Sequence, residues 1–135
     1  MEVQVNYLAV IVMAVAVQAV GALWYSPLLF SKAWVADVGI SEEKLKEGGA
    51  ARPMIGALVA SLVMAYVLAH FVVYTKSTTV ATGLQCGFWT WLGFVATSIG
   101  TNYLFERRPL RLFLVNSGYN LVSLLGMGAV LAVWQ

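Results

Sequence analysis

Residues 24–34 read WYSPLLFSKAW, and this stretch decides how the chain leaves its first apolar run. The run before it, residues 5–23, contains no charged side chain and is long enough to cross a hydrocarbon core of about 30 Å. Trp24 and Tyr25 follow directly, and aromatic side chains of this kind are enriched where membrane helices meet the interface. The stretch therefore predicts that a membrane span ends here.

The same stretch predicts a second, short helix. Ser26 followed by Pro27 is typical of an N-cap and a first helical position, so residues 27–38 are expected to be helical. These residues are apolar on nearly every side, which favours a helix that either sinks into the interface or folds under the bundle, with Lys32 directed towards water. Pro27 and Trp34 complete the predicted interfacial anchor that begins with the aromatic pair.

Composition sets the class of protein. Of the 135 residues, 61% are hydrophobic and 10% are charged, whereas about a quarter of a soluble domain is charged. Four apolar stretches are long enough to span a bilayer: residues 5–24, 54–74, 80–104 and 110–134. A soluble helical core is excluded because three connecting segments cannot solvate four helices that are apolar on every face. We predict an all-α integral membrane four-helix bundle, residues 1–135 forming one transmembrane domain.

Basic side chains indicate the orientation. Seven of the eight lie in the connections after the first and third stretches: Lys32, Lys44, Lys46, Arg52, Arg107, Arg108 and Arg111. Lys76 alone lies in the connection between the second and third stretches. An excess of Lys and Arg is found on the cytoplasmic side. We therefore expect a multi-pass protein of the inner (cytoplasmic) membrane, with residues 25–53 in the cytoplasm and both termini outside.

A short solvated helix is predicted within the cytoplasmic segment. The sequence SEEKLKEGG follows Gly39, and Ser41 can cap a helix whose first turn is acidic. Gly48 and Gly49 are suited to end it, since glycine accepts the left-handed conformation that terminates helices.

Five stretches carry a resemblance to a known family: NYLAV with GALWYSPLLFSKAW, MAYVLAH, GFWTWLGFVAT, and NYLFERRPLRLFLVNSGYNLVSLLGMGAVLAVW. Together they resemble DUF1761, a family of small bacterial membrane proteins, over nearly the whole chain. WYSP with F-x-K-A-W, and FE-x-RP, are the specific motifs. The resemblance implies a four-helix membrane protein in one domain, and it implies no activity because the family has none assigned. Family members often carry histidine where this chain has Asn120, so no imidazole chemistry is expected there.

Polar side chains inside the apolar stretches form the main candidate site. Counted from the inner end of each stretch, one polar residue per helix falls six or seven residues deep: Gln18, Ser61, Ser98 and Asn116. Asn120 and Ser123 share a face with Asn116 at helical spacing. We predict an intramembrane polar layer, which either bonds helix to helix or lines part of a path for a polar solute.

His70, the one histidine of the chain, lies in the outer third of the second stretch. An ionisable residue within a span is a functional candidate by default, and Gln85 and Asn6 are its predicted neighbours in an outer polar site. A structural or interfacial role, a transport role and ligation of a haem or pigment are the alternatives. No second histidine and no cluster of acids or cysteines accompanies it, so no metal site and no cofactor are predicted.

Small residues predict close helix packing in the third stretch. Gly83 and Gly87 form a GxxxG pattern, and Gly118 and Gly126 lie on one side of the fourth. Such faces pack either within one chain or between copies. Cys86 is the single cysteine, and it is interpreted as a small packing residue.

Function is constrained more by what the helices lack than by any motif. Every Asp and Glu lies outside the four stretches, which disfavours proton-coupled exporters that use an intramembrane carboxylate. The seven-to-one charge bias disfavours dual-topology channels. An enzyme would require paired acids or a Ser–His pair, so none is predicted. We expect a scaffold or accessory protein that contacts the lipid bilayer and either itself or a larger membrane complex, not nucleic acid. A small transporter or channel for a polar solute is the alternative.

Overall fold

The four long apolar stretches of the sequence are helical over nearly their whole length. The computed structural model describes residues 2–135, with Glu42 as backbone only, and the chain is 77% helical with no strand in this described part. Three helices are long and apolar enough to cross a membrane: Tyr7–Trp24, Ala51–Tyr74 and Leu110–Val133. The predicted all-α class is confirmed, and apolar helices of this length suggest a membrane protein.

Seven α-helices and one π-helical segment follow one another in the described residues. They are α1 (Tyr7–Trp24), α2 (Ser31–Asp37), α3 (Glu42–Lys46), α4 (Ala51–Tyr74), α5 (Val80–Thr90), the π segment (Trp91–Ala96), α6 (Thr97–Phe105) and α7 (Leu110–Val133). The predicted third span is thus helical throughout residues 80–105, but a π segment divides it. Its passage across a membrane stays a prediction.

The short helix after α1 begins later than predicted. Ser26 does not cap it, because its hydroxyl donates to the carbonyl of Leu23 at 2.6 Å and so helps to end α1. Pro27 lies in the turns that follow, and α2 starts only at Ser31. The amide of Ser31 donates to the carbonyl of Ser26 at 3.2 Å, which closes the turn. The chain therefore changes direction between the two helices.

The solvated helix α3 is confirmed together with its predicted cap. The hydroxyl of Ser41 accepts a hydrogen bond from the amide of Lys44 at 3.3 Å. Gly48 and Gly49 follow with φ of 78° and 76°, a left-handed conformation that glycine adopts without steric cost.

The two termini meet the 75–79 turn at one end of the bundle. Asn6 caps α1 through its side-chain oxygen, and its amide nitrogen donates to the carbonyl of Trp134 at 3.3 Å. The side chain of Gln135 donates to the carbonyl of Ser77 at 2.9 Å. Since the long helices alternate in direction, the segment joining α1 to α4 and the turn after α6 lie at the opposite end.

Helix α7 is the centre of the fold. It packs against α1, α2, α4, α5, α6 and the π segment, whereas α1 packs mainly against α4. Buried apolar side chains from α1, α4 and α7 form one core, and its most buried members include Ala9, Ala65, Leu68 and Met127. The core occupies the half of the bundle near the termini.

Helices α5 and α7 approach closely along the predicted small-residue face. A Cβ placed on Gly83 would overlap the carbonyl oxygen of Gly128, and one on Gly87 would overlap the carbonyl oxygen of Leu124. Both obstacles are backbone atoms. The GxxxG face therefore packs within one chain, and this settles the alternative that the sequence left open.

Candidate functional site

Two of the predicted layer residues meet between α1 and α4. The Nε2 of Gln18 donates to the Oγ of Ser61 at 2.8 Å. Residues 51–60 of α4 are exposed along their whole length, and Ser61 is the first buried residue of the helix. The pair therefore lies where α4 first contacts the rest of the bundle.

Asn116 belongs to a second, separate network. Its Oδ1 accepts from the hydroxyl of Tyr25, and its Nδ2 donates to the hydroxyl of Tyr103, each at 2.7 Å. Asn120 donates to the backbone carbonyl of Asn116 at 3.1 Å. No hydrogen bond within residues 2–135 joins this network to Gln18, so the structure divides the predicted layer in two.

Ser98 joins neither network, which corrects its placement in the layer. Its side chain is exposed, and its hydroxyl donates to the carbonyl of Phe94 in its own helix at 2.7 Å. The prediction rested on depth from the inner end of the stretch, and depth fixes the level of a residue but not its side of the helix. Ile99, Gly100 and Tyr103 form the half-buried side of α6, and Ser98 lies off that side.

The predicted outer polar site is not assembled. The Nδ1 of His70 lies 2.8 Å from the carbonyl of Tyr66 in the same helix, and its ring contacts the edges of neighbouring tyrosines. Asn6 is used as the cap of α1. Gln85 lines a separate cavity of about 320 Å³ between α4 and α5, with Tyr74 among its other walls. No hydrogen bond within residues 2–135 joins any two of these three side chains.

The predicted anchor residues turn into the protein, except for Pro27, which is exposed. The indole N–H of Trp24 donates to the carbonyl of Val115 at 2.9 Å. Tyr25 bonds to α7 and packs edge-on against the ring of Trp34, at 6.1 Å between centroids. These aromatic side chains therefore hold the corner between α1 and α2 against α7.

Tyr25 remains a neutral phenol in this cluster. Burial raises the pKa of Tyr25, and the neighbouring hydroxyls of Tyr119 and Tyr103 raise it further. A neutral hydroxyl can donate one hydrogen bond, and the Tyr25 hydroxyl donates to the Oδ1 of Asn116.

A cleft opens beside the Gln18–Ser61 pair. Its mouth is a cavity of about 660 Å³ between α1, α2, the start of α4 and α7, walled by Trp34 and Met54 among others. Beside it lies a cavity of about 150 Å³ that Ser61 lines. Gln18, Ala57 and Tyr119 line both cavities, so the two are adjacent. We call the whole space the Gln18 cleft.

The smaller cavity is lined mostly by apolar surface, and four polar residues from α1, α4 and α7 are among those that line it: Gln18, Ser61, Asn120 and Ser123. Ser123 is 3% exposed, and its hydroxyl oxygen has no hydrogen-bond partner among the described residues. Buried hydroxyls are normally paired, so this unpaired one is the least expected feature of the site, although its oxygen is covered by neighbouring atoms and does not face the cavity.

Helix α2 is held across the mouth by an ion pair. The guanidinium of Arg111 donates to both carboxylate oxygens of Asp37, at 2.6 and 2.8 Å. These hydrogen bonds hold the pKa of the Asp37 carboxyl below its usual range. Trp34, which walls the cleft, lies on the same short helix.

Several residues of the site were missed by sequence reasoning. The hydroxyl of Tyr119 donates to the carbonyl of Val17 at 2.8 Å, and the indole of Trp91 donates to the carbonyl of Ser117, also at 2.8 Å. Tyr and Trp combine an apolar ring with one polar atom, which usually has a partner when buried. This tendency of buried Tyr and Trp to form hydrogen bonds is the sequence signal for these two contacts.

These features define a small all-α protein whose long apolar helices suggest a membrane protein, with a cleft beside the Gln18–Ser61 pair. Residues 8–132 match the family model described as "Protein of unknown function (DUF1761)". The chain belongs to the DUF1761 family, and the resemblance seen in its motifs is confirmed. No curated protein and no solved structure matches the chain.

Proposed function

We propose that the protein is a non-enzymatic packing or accessory subunit of the cytoplasmic membrane. The supporting observation is that its intramembrane polar atoms bond one helix to another. Trp24, Trp91 and Tyr119 each donate to a backbone carbonyl of a neighbouring helix. Asn116 joins two further elements to α7. Such bonds hold the helices together as one unit, which is what a scaffold requires.

The exposed surface is consistent with this role. Large apolar side chains cover the outside of the long helices, and Phe94 and Trp89 are 68% and 64% exposed. Lipid covers such side chains in a bilayer, as does another helix. We propose that the partners are the bilayer together with a second copy of the chain or a larger membrane complex.

Isolation from native membranes tests the accessory role. Mild detergent extraction after chemical cross-linking is expected to yield the chain in a species larger than one protomer. A chain that is recovered as a monomer at every cross-linker concentration would contradict the proposal.

We also propose that both termini face away from the cytoplasm. The seven basic residues of the two connections lie at one end of the bundle, and Lys76 lies at the other with the termini. A C-terminal alkaline phosphatase fusion should be active and a green fluorescent protein fusion dark. The reverse pattern would overturn the orientation.

Transport of a polar solute is the second candidate, and the Gln18 cleft is the observation that favours it. The cleft is open at its mouth, as a path entered from one side would be. Beyond the cleft, however, Ala65, Leu68 and Met127 are at most 1% exposed. A transporter would have to separate this packed core in each cycle, so the packing role is preferred.

A further inference from the structure

We propose that the turn between α6 and α7 holds one anionic phospholipid, with its phosphate at Arg108 and an acyl chain in the groove between the two helices. The inference requires that the chain lies in a bilayer, as proposed above, and it does not require the accessory role. It rests on the shape of the groove, on the apolar side chains exposed around it and on the arginine at its edge.

A groove of about 300 Å³ lies between the end of α6 and the start of α7. Its walls are almost entirely apolar, and Tyr103, Leu104, Leu110 and Phe113 are among them. Gly100 keeps the groove open, since a Cβ built there would already contact the ring of Phe113 at 3.4 Å and a longer side chain would occupy the space. Such walls suit an acyl chain, because they offer a polar solute almost no hydrogen-bond partners.

Large apolar side chains are exposed around this groove. Leu104 is 79% exposed, Phe105 84% and Leu110 71%. Arg107 and Arg108 lie between them in the sequence. Exposed apolar patches mark contacts with a membrane or a partner. A membrane interface accommodates this mixture, because the apolar side chains contact acyl chains while the long basic side chains reach the headgroups.

Arg108 supplies a positive charge at the edge of the groove. Its guanidinium carbon lies over the ring of Tyr103, 5.4 Å from the ring centroid, and both residues line the groove. The charge is therefore held beside the apolar space. A guanidinium can donate two parallel hydrogen bonds to one phosphate. A lipid whose phosphate is bound there would have its acyl chains next to the groove.

The protein itself engages Arg108 only weakly. Within residues 2–135 its one ion pair is with Glu106, at 3.5 Å, and both side chains are exposed. Exposed ion pairs of this kind contribute little, so a phosphate can compete with the carboxylate. Arg111 differs, because it donates to both carboxylate oxygens of Asp37. Arg107 adds a second positive charge in the same turn, so two arginines face one glutamate.

An anionic phospholipid accounts for both parts of this site. Free phosphate would use the arginine and leave the apolar groove empty, whereas a lipid without net charge would use the groove and gain less from the arginine. The attraction between an anionic headgroup and one basic residue near a membrane surface corresponds to about fivefold in affinity. The charge of the headgroup and the presence of acyl chains should therefore both affect binding.

Native mass spectrometry of the full chain in a neutral detergent tests the proposal. The probes are dioleoyl phosphatidylglycerol, dioleoyl phosphatidylcholine and glycerol phosphate; the two lipids share their acyl chains and differ in net charge, and the third probe has no acyl chain. We expect one phosphatidylglycerol to bind per chain about fivefold more tightly than phosphatidylcholine, and glycerol phosphate not to compete. Equal affinity for the two lipids, or competition by glycerol phosphate, would overturn the proposal.

A pair of charge variants locates the headgroup. Arg108→Gln should weaken phosphatidylglycerol binding by about fivefold and abolish the preference over phosphatidylcholine. Arg52→Gln removes the same charge at the same end of the bundle, but Arg52 does not line the groove, so this variant should change neither affinity. Equal losses in the two variants would indicate a general attraction to the basic end and would refute the site.

Groove variants locate the acyl chain. Gly100→Leu should weaken the binding of both lipids because it fills the groove, and Leu104→Gln, at an exposed wall, provides a second test if the first variant loses its helical circular dichroism. Undiminished binding in a folded groove variant would refute the assignment. Because binding is counted per chain, recovery of the chain as a monomer would contradict the accessory role and leave this result unaffected.

Discussion

Substituting Gly83 by alanine should separate α5 from α7. The new Cβ would overlap the carbonyl oxygen of Gly128 and approach the Cβ of Ala132 to 2.8 Å. The first obstacle is backbone, so no rotamer change can relieve it, and the helices must move apart. Overpacking a close contact costs typically 1–3 kcal/mol, and alanine returns up to about 1 kcal/mol of helix propensity. We expect a net loss of about 1–2 kcal/mol for Gly83→Ala, and a similar loss for Gly87→Ala.

Gly56→Ala is the matched control for this prediction. Nothing of the chain lies within 4 Å of a Cβ built on Gly56, which is on the exposed part of α4. The same chemical change there should leave the free energy of unfolding unchanged or raise it by up to about 1 kcal/mol. Equilibrium unfolding in mixed micelles with increasing dodecyl sulfate measures both. Equal effects of Gly83→Ala and Gly56→Ala would show that the α5–α7 contact is not made as described.

Two further outcomes follow from the polar contacts. The losses in unfolding free energy caused by Gln18→Leu and Asn116→Leu should add within about 0.5 kcal/mol, because the two residues lie in separate networks. Gln18→Leu and Ser61→Ala should instead be coupled by about 0.6 kcal/mol, because these residues bond to each other. Double-mutant cycles with the same unfolding assay measure both couplings, and coupling in the first pair alone would contradict the assignment. Since the pKa of Asp37 is lowered in the fold, the stabilisation from its pair with Arg111 is complete above the ordinary value of 3.8 and is lost as the pH falls through the lowered value. A spin label on α2 should therefore become more mobile in that acid range. In the Asp37→Asn variant the label should already be mobile at neutral pH.

Most helix boundaries could be predicted from the sequence, because they depend on residues close to them in the chain. Ser41 caps α3 as a short side chain with an acceptor should, and Gly48 and Gly49 end it with positive φ. The apolar stretches likewise gave α1, α4 and α7 to within three residues at either end. In each case the deciding partner lies within a few residues of the position itself.

The hydrogen-bond partners of the polar residues could not be predicted from the sequence, because they depend on tertiary contacts between residues far apart in the chain. Ser26 was predicted to cap the following helix, but its hydroxyl donates to a carbonyl of α1 instead. Ser98 was placed in the layer by its depth alone, but depth does not fix the side of the helix, and its hydroxyl bonds within its own helix. The sequence analysis used Arg111 only as one of the basic residues that indicate orientation, yet its guanidinium lies 2.6 Å from Asp37, which is far along the sequence. No local pattern distinguishes these outcomes from the alternatives.

The distribution of polarity among the helices follows from their number of protein neighbours. Helix α7 is the least apolar of the three long helices that could cross a membrane and also the most buried, whereas α1 and α4 are more apolar and more exposed. In water the order would be reversed, but lipid is as apolar as leucine and offers no partner for a polar group. A central helix can therefore carry several asparagines and serines, because protein surrounds it. On α1 and α4 one polar residue in mid-helix must find another, and Gln18 finds Ser61. Such an isolated polar residue on an apolar helix consequently indicates where that helix touches its neighbour.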